Sequence, residues 1–177
     1  MNLRKAIGVL TSLFFLYSST TTYVHGGGLP EINAPSYVLM EQSTGKVLCE
    51  KNPHEVRPAA SVMKIMILLA AVESLDSGLI SEGDMVTVSD NAAASKGANV
   101  WLKSGESISV EDLIKSVAMV SANDACIALA EFISGSEGKF LTMINEKAKK
   151  LGMNDTIFKD CIGSDEDGNV TSAYDVA

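Results

Sequence analysis

Ser61 and Lys64 stand three residues apart at the head of an apolar stretch running from Arg57 to Ser74, RPAASVMKIMILLAAVES. On a helix, positions three apart share a face, so the hydroxyl and the amine stand side by side. A serine hydroxyl becomes a nucleophile when a neighbouring base takes its proton. Lysine is such a base only if its ammonium deprotonates near neutral pH. Burial among Met63, Ile65 and Met66, or a nearby cation, lowers its pKa from the ordinary value of about 10.4. The structural alternative is a lysine that lays its stem along apolar surface and keeps its charge in water. A helix apolar on almost every side belongs inside a protein, where an unpartnered lysine is rare. A second polar constellation, Ser121-Ala122-Asn123, falls at a break between two apolar segments. A Ser-x-Asn on a rigid turn can aim a hydroxyl and an amide into one cleft. Ser and Asn are equally at home as helix N-caps.

The elements that must position these residues follow from pattern. SYVLMEQSTGKVLCEKN alternates loosely about Ser43-Thr44-Gly45 and predicts a β-hairpin. A helix is expected from about Ala59 to Ser77, stopped by Gly78. DMVTVSD reads as a short strand, and the stretch from Asn91 to Ser107 as irregular. Ser109-Val110-Glu111-Asp112 is a capping pattern ahead of Leu113, Ile114 and Val117. Asn123 or Asp124 is expected to cap a helix ended by Gly135, and Ser136 opens another that closes at Gly152. The tail, DCIGSDEDGNVTSAYDVA, reads as loop, with Asp165-Glu166-Asp167-Gly168 a solvated turn whose spacing fails the EF-hand pattern. Lys103-Ser104-Gly105 and Ser43-Thr44-Gly45 read as turns. A lone hairpin is marginal in water, so partner strands are expected elsewhere, and nothing after Leu151 supplies them convincingly.

The 177 residues suit one domain, and 46% apolar with 20% charged residues fits a globular chain. A net charge of −8 without any basic run excludes a nucleic-acid partner. Arg4 and Lys5, an apolar run from Ala6 to Tyr17 and small residues up to Gly26 have the three-part layout of a secretory signal peptide, residues 1–26. Cys49, Cys126 and Cys161 are odd in number and lack metal-ligand spacing; they read as structural thiols. His54 is the one histidine beyond that segment, so a histidine-based triad or a zinc site is poorly supported.

The order Pro58-Ala59-Ala60-Ser61-x-x-Lys64, an irregular region, a capped helix and Ser121-Ala122-Asn123-Asp124-Ala125-Cys126 resembles the penicillin-recognising serine D-Ala-D-Ala carboxypeptidases, the low-molecular-mass penicillin-binding proteins. YVLMEQSTGKVLCEKNPHEVRPAASVMKIMILL, DMVTVSDNAAA, GESISVEDLIKSVAMVSANDACIALAEFISGSEGKF and AKKLGMNDTIF are similar to that family's text, over about residues 36–177. The resemblance implies an α+β fold of the β-lactamase/DD-peptidase type: a helical subdomain with the first hairpin of an antiparallel sheet, its remaining strands missing, in a partial catalytic domain spanning 27–177. It makes Ser61 the acyl nucleophile, Lys64 the general base and Ser121 the proton relay, with Asn123 binding the substrate amide and Ser61 N–H half of an oxyanion hole. Peptidoglycan stem peptides would be substrates and β-lactams covalent inhibitors, with no cofactor and no metal, in an exported protein at the outer face of the cytoplasmic membrane, the cell wall or the periplasm. The family's Lys-Thr-Gly motif, which follows Ser-x-Asn, does not occur before Ala177. A membrane-lying carboxy-terminal segment is likewise expected to be missing. KGANVW and CIGSD depart from the family's usual Gly-Gly-Ser with Met-Phe and Asn-Gly-Leu. A serine β-lactamase, which usually has Asp where Ala122 stands, and a non-catalytic penicillin-recognition fragment are the competing expectations.

Overall fold

The computed structural model describes residues 32–164 and 168–177. The expected signal peptide and the acidic turn Asp165–Asp167 lie outside the described residues. The chain divides into units spanning Met1–Asn33 and Ala34–Ala177, and every regular element of the described residues belongs to the second.

Strands β1 (Tyr37–Met40) and β2 (Val47–Lys51) form the expected antiparallel hairpin, with Leu39 opposite Cys49 and a bulge after Leu39. The Glu41 carboxylate ties the turn, accepting from the backbone of Ser43 at 3.0 Å and Thr44 at 2.8 Å and from both hydroxyls. These bonds, the Thr44 hydroxyl foremost, hold its pKa down at about 2. Gly45 takes the left-handed φ of +68° that closes the turn.

The helix expected from Ala59 starts as a 3₁₀ turn, Ala60–Met63, and becomes α-helical only as α1 (Lys64–Asp76). Strand β3 (Arg57–Pro58) precedes it, and β4 (Met85–Thr87) follows. The region expected to be irregular holds a four-residue helix, α2 (Asp90–Ala93), which Ser89 caps by accepting from Ala92 N–H. Strand β5 (Ser107–Ser109) pairs antiparallel with β4, and Ser109 caps α3 (Val110–Val120) as its spacing predicts.

Helix α4 (Asn123–Ser134) is the central element, buried without interruption from Asp124 to Ala130. Its alanines Ala125, Ala128 and Ala130 let α1, α2, α3 and α5 (Glu137–Leu151) approach closely. Phe140, Ile67, Leu113, Leu129 and Ile144 fill the fully buried core between them. Ser136 caps α5 and Gly152 ends it, as expected. The tail is not all loop: β6 (Val170–Thr171) pairs antiparallel with β3, and α6 (Ala173–Val176) is capped by Ser172. The hairpin β1–β2 forms a sheet of its own among the described residues, and the other two pairs are equally two-stranded.

Candidate active site

Lys64 is the first residue of α1 and only 3% exposed. Its Nζ donates to Ser121 O at 2.5 Å, Asn123 Oδ1 at 2.5 Å, Ser121 Oγ at 2.9 Å and Ser61 Oγ at 3.5 Å. The snorkelling alternative is excluded by that burial, and all four residues singled out in the sequence meet at one amine. Burial lowers the Lys64 pKa below the ordinary lysine value. Cys126, Asp160 and Asp124 oppose that shift when ionised. Burial pushes the Cys126 thiol up to about 12, so it is neutral at pH 7 and only the two carboxylates act as counter-charges there.

Ser61 and Ser121 are placed by local backbone features, and Asn123 by bonds to a distant segment. Ser61 is exposed in the 3₁₀ turn, directly after Ala60, whose φ of +44° is left-handed. Such a conformation is uncommon for a residue with a Cβ and costs roughly 1–3 kcal/mol. Ser121 ends α3 at φ +58°, and this reversal brings both its carbonyl and its hydroxyl to Lys64. Asn123 opens α4 but does not cap it: the N-cap is Ala122, without a side-chain bond. Asn123 N–H donates to Ala98 O at 2.7 Å and Nδ2 to Lys96 O at 2.6 Å. A carbonyl can only accept, so this bond fixes the amide with Oδ1 towards Lys64. Asp124 is no cap for the helix end either. Its buried carboxylate accepts from Val100, Leu102 and Ala125 N–H, pinning the 95–102 segment over the start of α4.

Ser121 O and Asn123 Oδ1 are pure acceptors and take two of the amine's N–H bonds. The third direction faces two hydroxyls, Ser61 and Ser121. A neutral amine would offer its lone pair there, and an ammonium its third proton.

His54 pairs instead with Asp155 at 2.8 Å and stacks on Tyr174. All three cysteines are free thiols. Among the described residues no three His, Cys, Asp or Glu side chains cluster as a metal site would. Lys103-Ser104-Gly105 and Ser43-Thr44-Gly45 both lie in turns, as expected. An apolar groove of about 410 Å³, lined by Met40, Val62, Ile65, Leu69, Phe158 and Tyr174 among others, contains none of the four residues at the amine.

The profile of the D-alanyl-D-alanine carboxypeptidase peptidases matches residues 23–177. The chain belongs to this family. A D-alanyl-D-alanine carboxypeptidase of Bacillus subtilis is 46% identical over 144 residues, which are 81% of this chain and 37% of that relative. The crystal structure of a D-alanyl-D-alanine carboxypeptidase from Francisella tularensis superposes with a TM-score of 0.80 at 37% identity, covering 83% of this chain and 36% of that one. A penicillin-binding protein of Listeria monocytogenes, solved in its cefotaxime-bound form, gives a TM-score of 0.71 at 28% identity, covering 84% and 61%. The fold is thus that of the DD-peptidases. The chain spans less than half the length of the curated relatives it matches.

Pattern reasoning missed Asp160, Gly163 and Asn169 and read Asp124 only as a cap. Asp124 reaches Val100 and Leu102 and Gly163 lies against Ala60, contacts between distant segments, whereas Asp160 and Asn169 bond within residues 159–169. The cap of α6 had a signal: Ser172-Ala173-Tyr174-Asp175 repeats the Ser-x-x-Asp spacing of Ser109.

Proposed function

We propose that the chain carries the acylating centre of a serine D-Ala-D-Ala carboxypeptidase. Ser61 is the nucleophile, Lys64 its general base, Ser121 the proton relay and Asn123 a substrate-amide ligand. One observation carries this reading: a buried amine, two of its hydrogens held by fixed acceptors, turns its remaining direction to two hydroxyls. Lys64 takes the Ser61 proton as Oγ bonds to the carbonyl carbon of the penultimate D-alanine. The proton then passes through the Ser121 hydroxyl to the nitrogen of the terminal D-alanine as the C–N bond breaks. Water, deprotonated by the same amine, cleaves the Ser61 ester and restores the hydroxyl. Asn123 Oδ1 steadies the amine throughout. Ser61 N–H supplies one oxyanion donor, an interaction commonly worth about 3 kcal/mol in the transition state.

Family membership supports the peptidase over the serine β-lactamase. The cefotaxime-bound Listeria relative supports β-lactams as ligands, and their acylation of Ser61 belongs to the proposed chemistry. Cell-wall peptides as substrates support action on the outer side of the cytoplasmic membrane. The test is labelling of the folded chain by a fluorescent penicillin, with Ser61→Ala as control. Label on the parent and none on the variant is the expected result. An unlabelled parent with native circular dichroism rejects the reading and favours the non-catalytic fragment.

A further inference from the structure

The Asp160–Ser164 segment lies a hundred residues from the nucleophile in sequence, yet its backbone touches the nucleophile's own peptide. A Cβ on Gly163 would lie 2.0 Å from the Ala60 carbonyl oxygen and 3.3 Å from Ser61 N. Only hydrogen fits there, and the atom in the way is backbone that cannot swing aside. Gly163 also has φ +78°, so glycine is required twice over. Opposite it stands Ala60 at φ +44°. The two left-handed residues are pressed together, on the carbonyl side of the peptide whose N–H belongs to Ser61.

What holds the segment in place is a polar knot. One oxygen of Asp160, Oδ1, accepts from Gly163 N at 2.6 Å, Ile162 N at 2.8 Å and Ser164 N at 3.3 Å. Its Oδ2 accepts from Asn169 Nδ2 at 2.8 Å. Asn169, 1% exposed, accepts in turn from the N–H groups of Lys159 and Asp160 and donates to Ser164 O. Every polar atom of that buried amide is engaged, so the knot has one low-energy arrangement.

We propose that this knot positions the nucleophile: Asp160 and Asn169 fold the 160–164 segment, and Gly163 backs the Ala60–Ser61 peptide so that Ser61 Oγ and its N–H keep their places beside Lys64. The inference rests on the function proposed above for Ser61 and Lys64. Asp160 and Gly163 are positioning residues and touch no substrate. Asp160 has a second effect through its charge. The ionisable groups that act on Lys64 are Asp160 from this segment and Asp124 and Cys126 from α4, and Ser61, Ser121 and Asn123 contact it as neutral groups.

The experiment uses the full chain with Gly163→Ala and Asp160→Asn. It reads the rate of Ser61 labelling by a fluorescent penicillin and, independently of any acylation, NMR titration of the Lys64 amine and the Ser61 amide resonance. Gly163→Ala is expected to slow labelling on the order of a hundredfold, as sub-ångström to 1 Å misplacement does, and to displace the Ser61 amide resonance. Asp160→Asn is expected to move the Lys64 midpoint to lower pH, because a counter-charge is lost. The exchange Asp160→Asn with Asn169→Asp, which returns a carboxylate to the knot, should move the midpoint back up. A parent that is never labelled defeats the proposed function, while the two NMR readouts still decide the positioning. A folded Gly163→Ala with the parent's Ser61 resonance overturns the positioning, and a folded Asp160→Asn with the parent's Lys64 midpoint overturns the charge effect.

Discussion

At Lys64 the number of hydrogens decides what the side chain can do. Two acceptors that cannot donate hold two N–H bonds, so proton exchange is confined to the direction of Ser61 and Ser121. Arginine fills a similar volume but keeps its proton at any accessible pH. Lys64→Arg is therefore expected to slow labelling of Ser61 by roughly 10²- to 10⁴-fold, the range of a general base, with unchanged circular dichroism. A second expectation concerns stability. Because burial lowers the Lys64 pKa in the folded state, the unfolded chain holds a proton that the folded chain lacks between that lowered value and 10.5. Stability rises with pH through this window, and below it the full cost of burying the ammonium is present. The buried thiols run the other way: with the Cys126 pKa raised from 9.0 to about 12, its contribution is lost as pH rises through that range. Comparing parent with Lys64→Met by urea unfolding across pH removes most of the thiol effect. The parent should gain on the variant as pH climbs towards 10.5, and a constant difference would contradict a lowered pKa.

At the scale of elements, the site sits where helices begin and end. Lys64 opens α1, Ser121 ends α3 and Asn123 opens α4, so three helix termini meet at the amine. The side-chain cap of α3, Ser109, stands at the opposite end of that helix from Ser121. Ser109 Oγ accepts from Asp112 N–H at 3.1 Å and donates to its carboxylate at 2.8 Å. Ser109→Ala should lower stability by about 1 kcal/mol in denaturant unfolding. Labelling of Ser61 by penicillin should not change, because buried Leu113 and Val117 also hold α3 in place. A large loss of labelling with little loss of stability would mean that the α3 terminus is tuned by its cap.

For the molecule as a whole, the helical core is closed while one side of α1 is not. Val62, Ile65, Leu69 and Val72 are exposed along one face, and the first three line the apolar groove. A helix that is apolar all round keeps such a stripe wherever no described element packs on it, and an exposed contiguous apolar surface binds hydrophobic dyes. The chain is expected to enhance fluorescence of an anilinonaphthalene dye in its native state. The double variant Leu69→Lys with Val72→Lys should reduce that enhancement while keeping its helical circular dichroism. The net charge of −8 works against association through the stripe, so the dye response should outlast dilution.

The amino-acid order alone determined the hairpin, the ends of α3 and α5, the pairing of Ser61 with Lys64 on one helical face, and the family. These rest on spacing, caps and turn residues, which act over a few positions. It did not determine that Ser61 stands in a 3₁₀ turn after a left-handed Ala60, nor that Ala122 rather than Asn123 caps α4, because tertiary hydrogen bonds to Lys96 and Ala98 outbid the local preference of Asn for a cap. The tail carries no strand signal of its own, because strands β3 and β6 are two residues each and have meaning only when paired across more than a hundred positions. The burial of Lys64, the counter-charges of Asp124 and Asp160 and the close approach of Gly163 to Ser61 belong wholly to the folded state. Solvent exclusion and contacts between distant segments exist only after the chain has packed, and no local pattern encodes them.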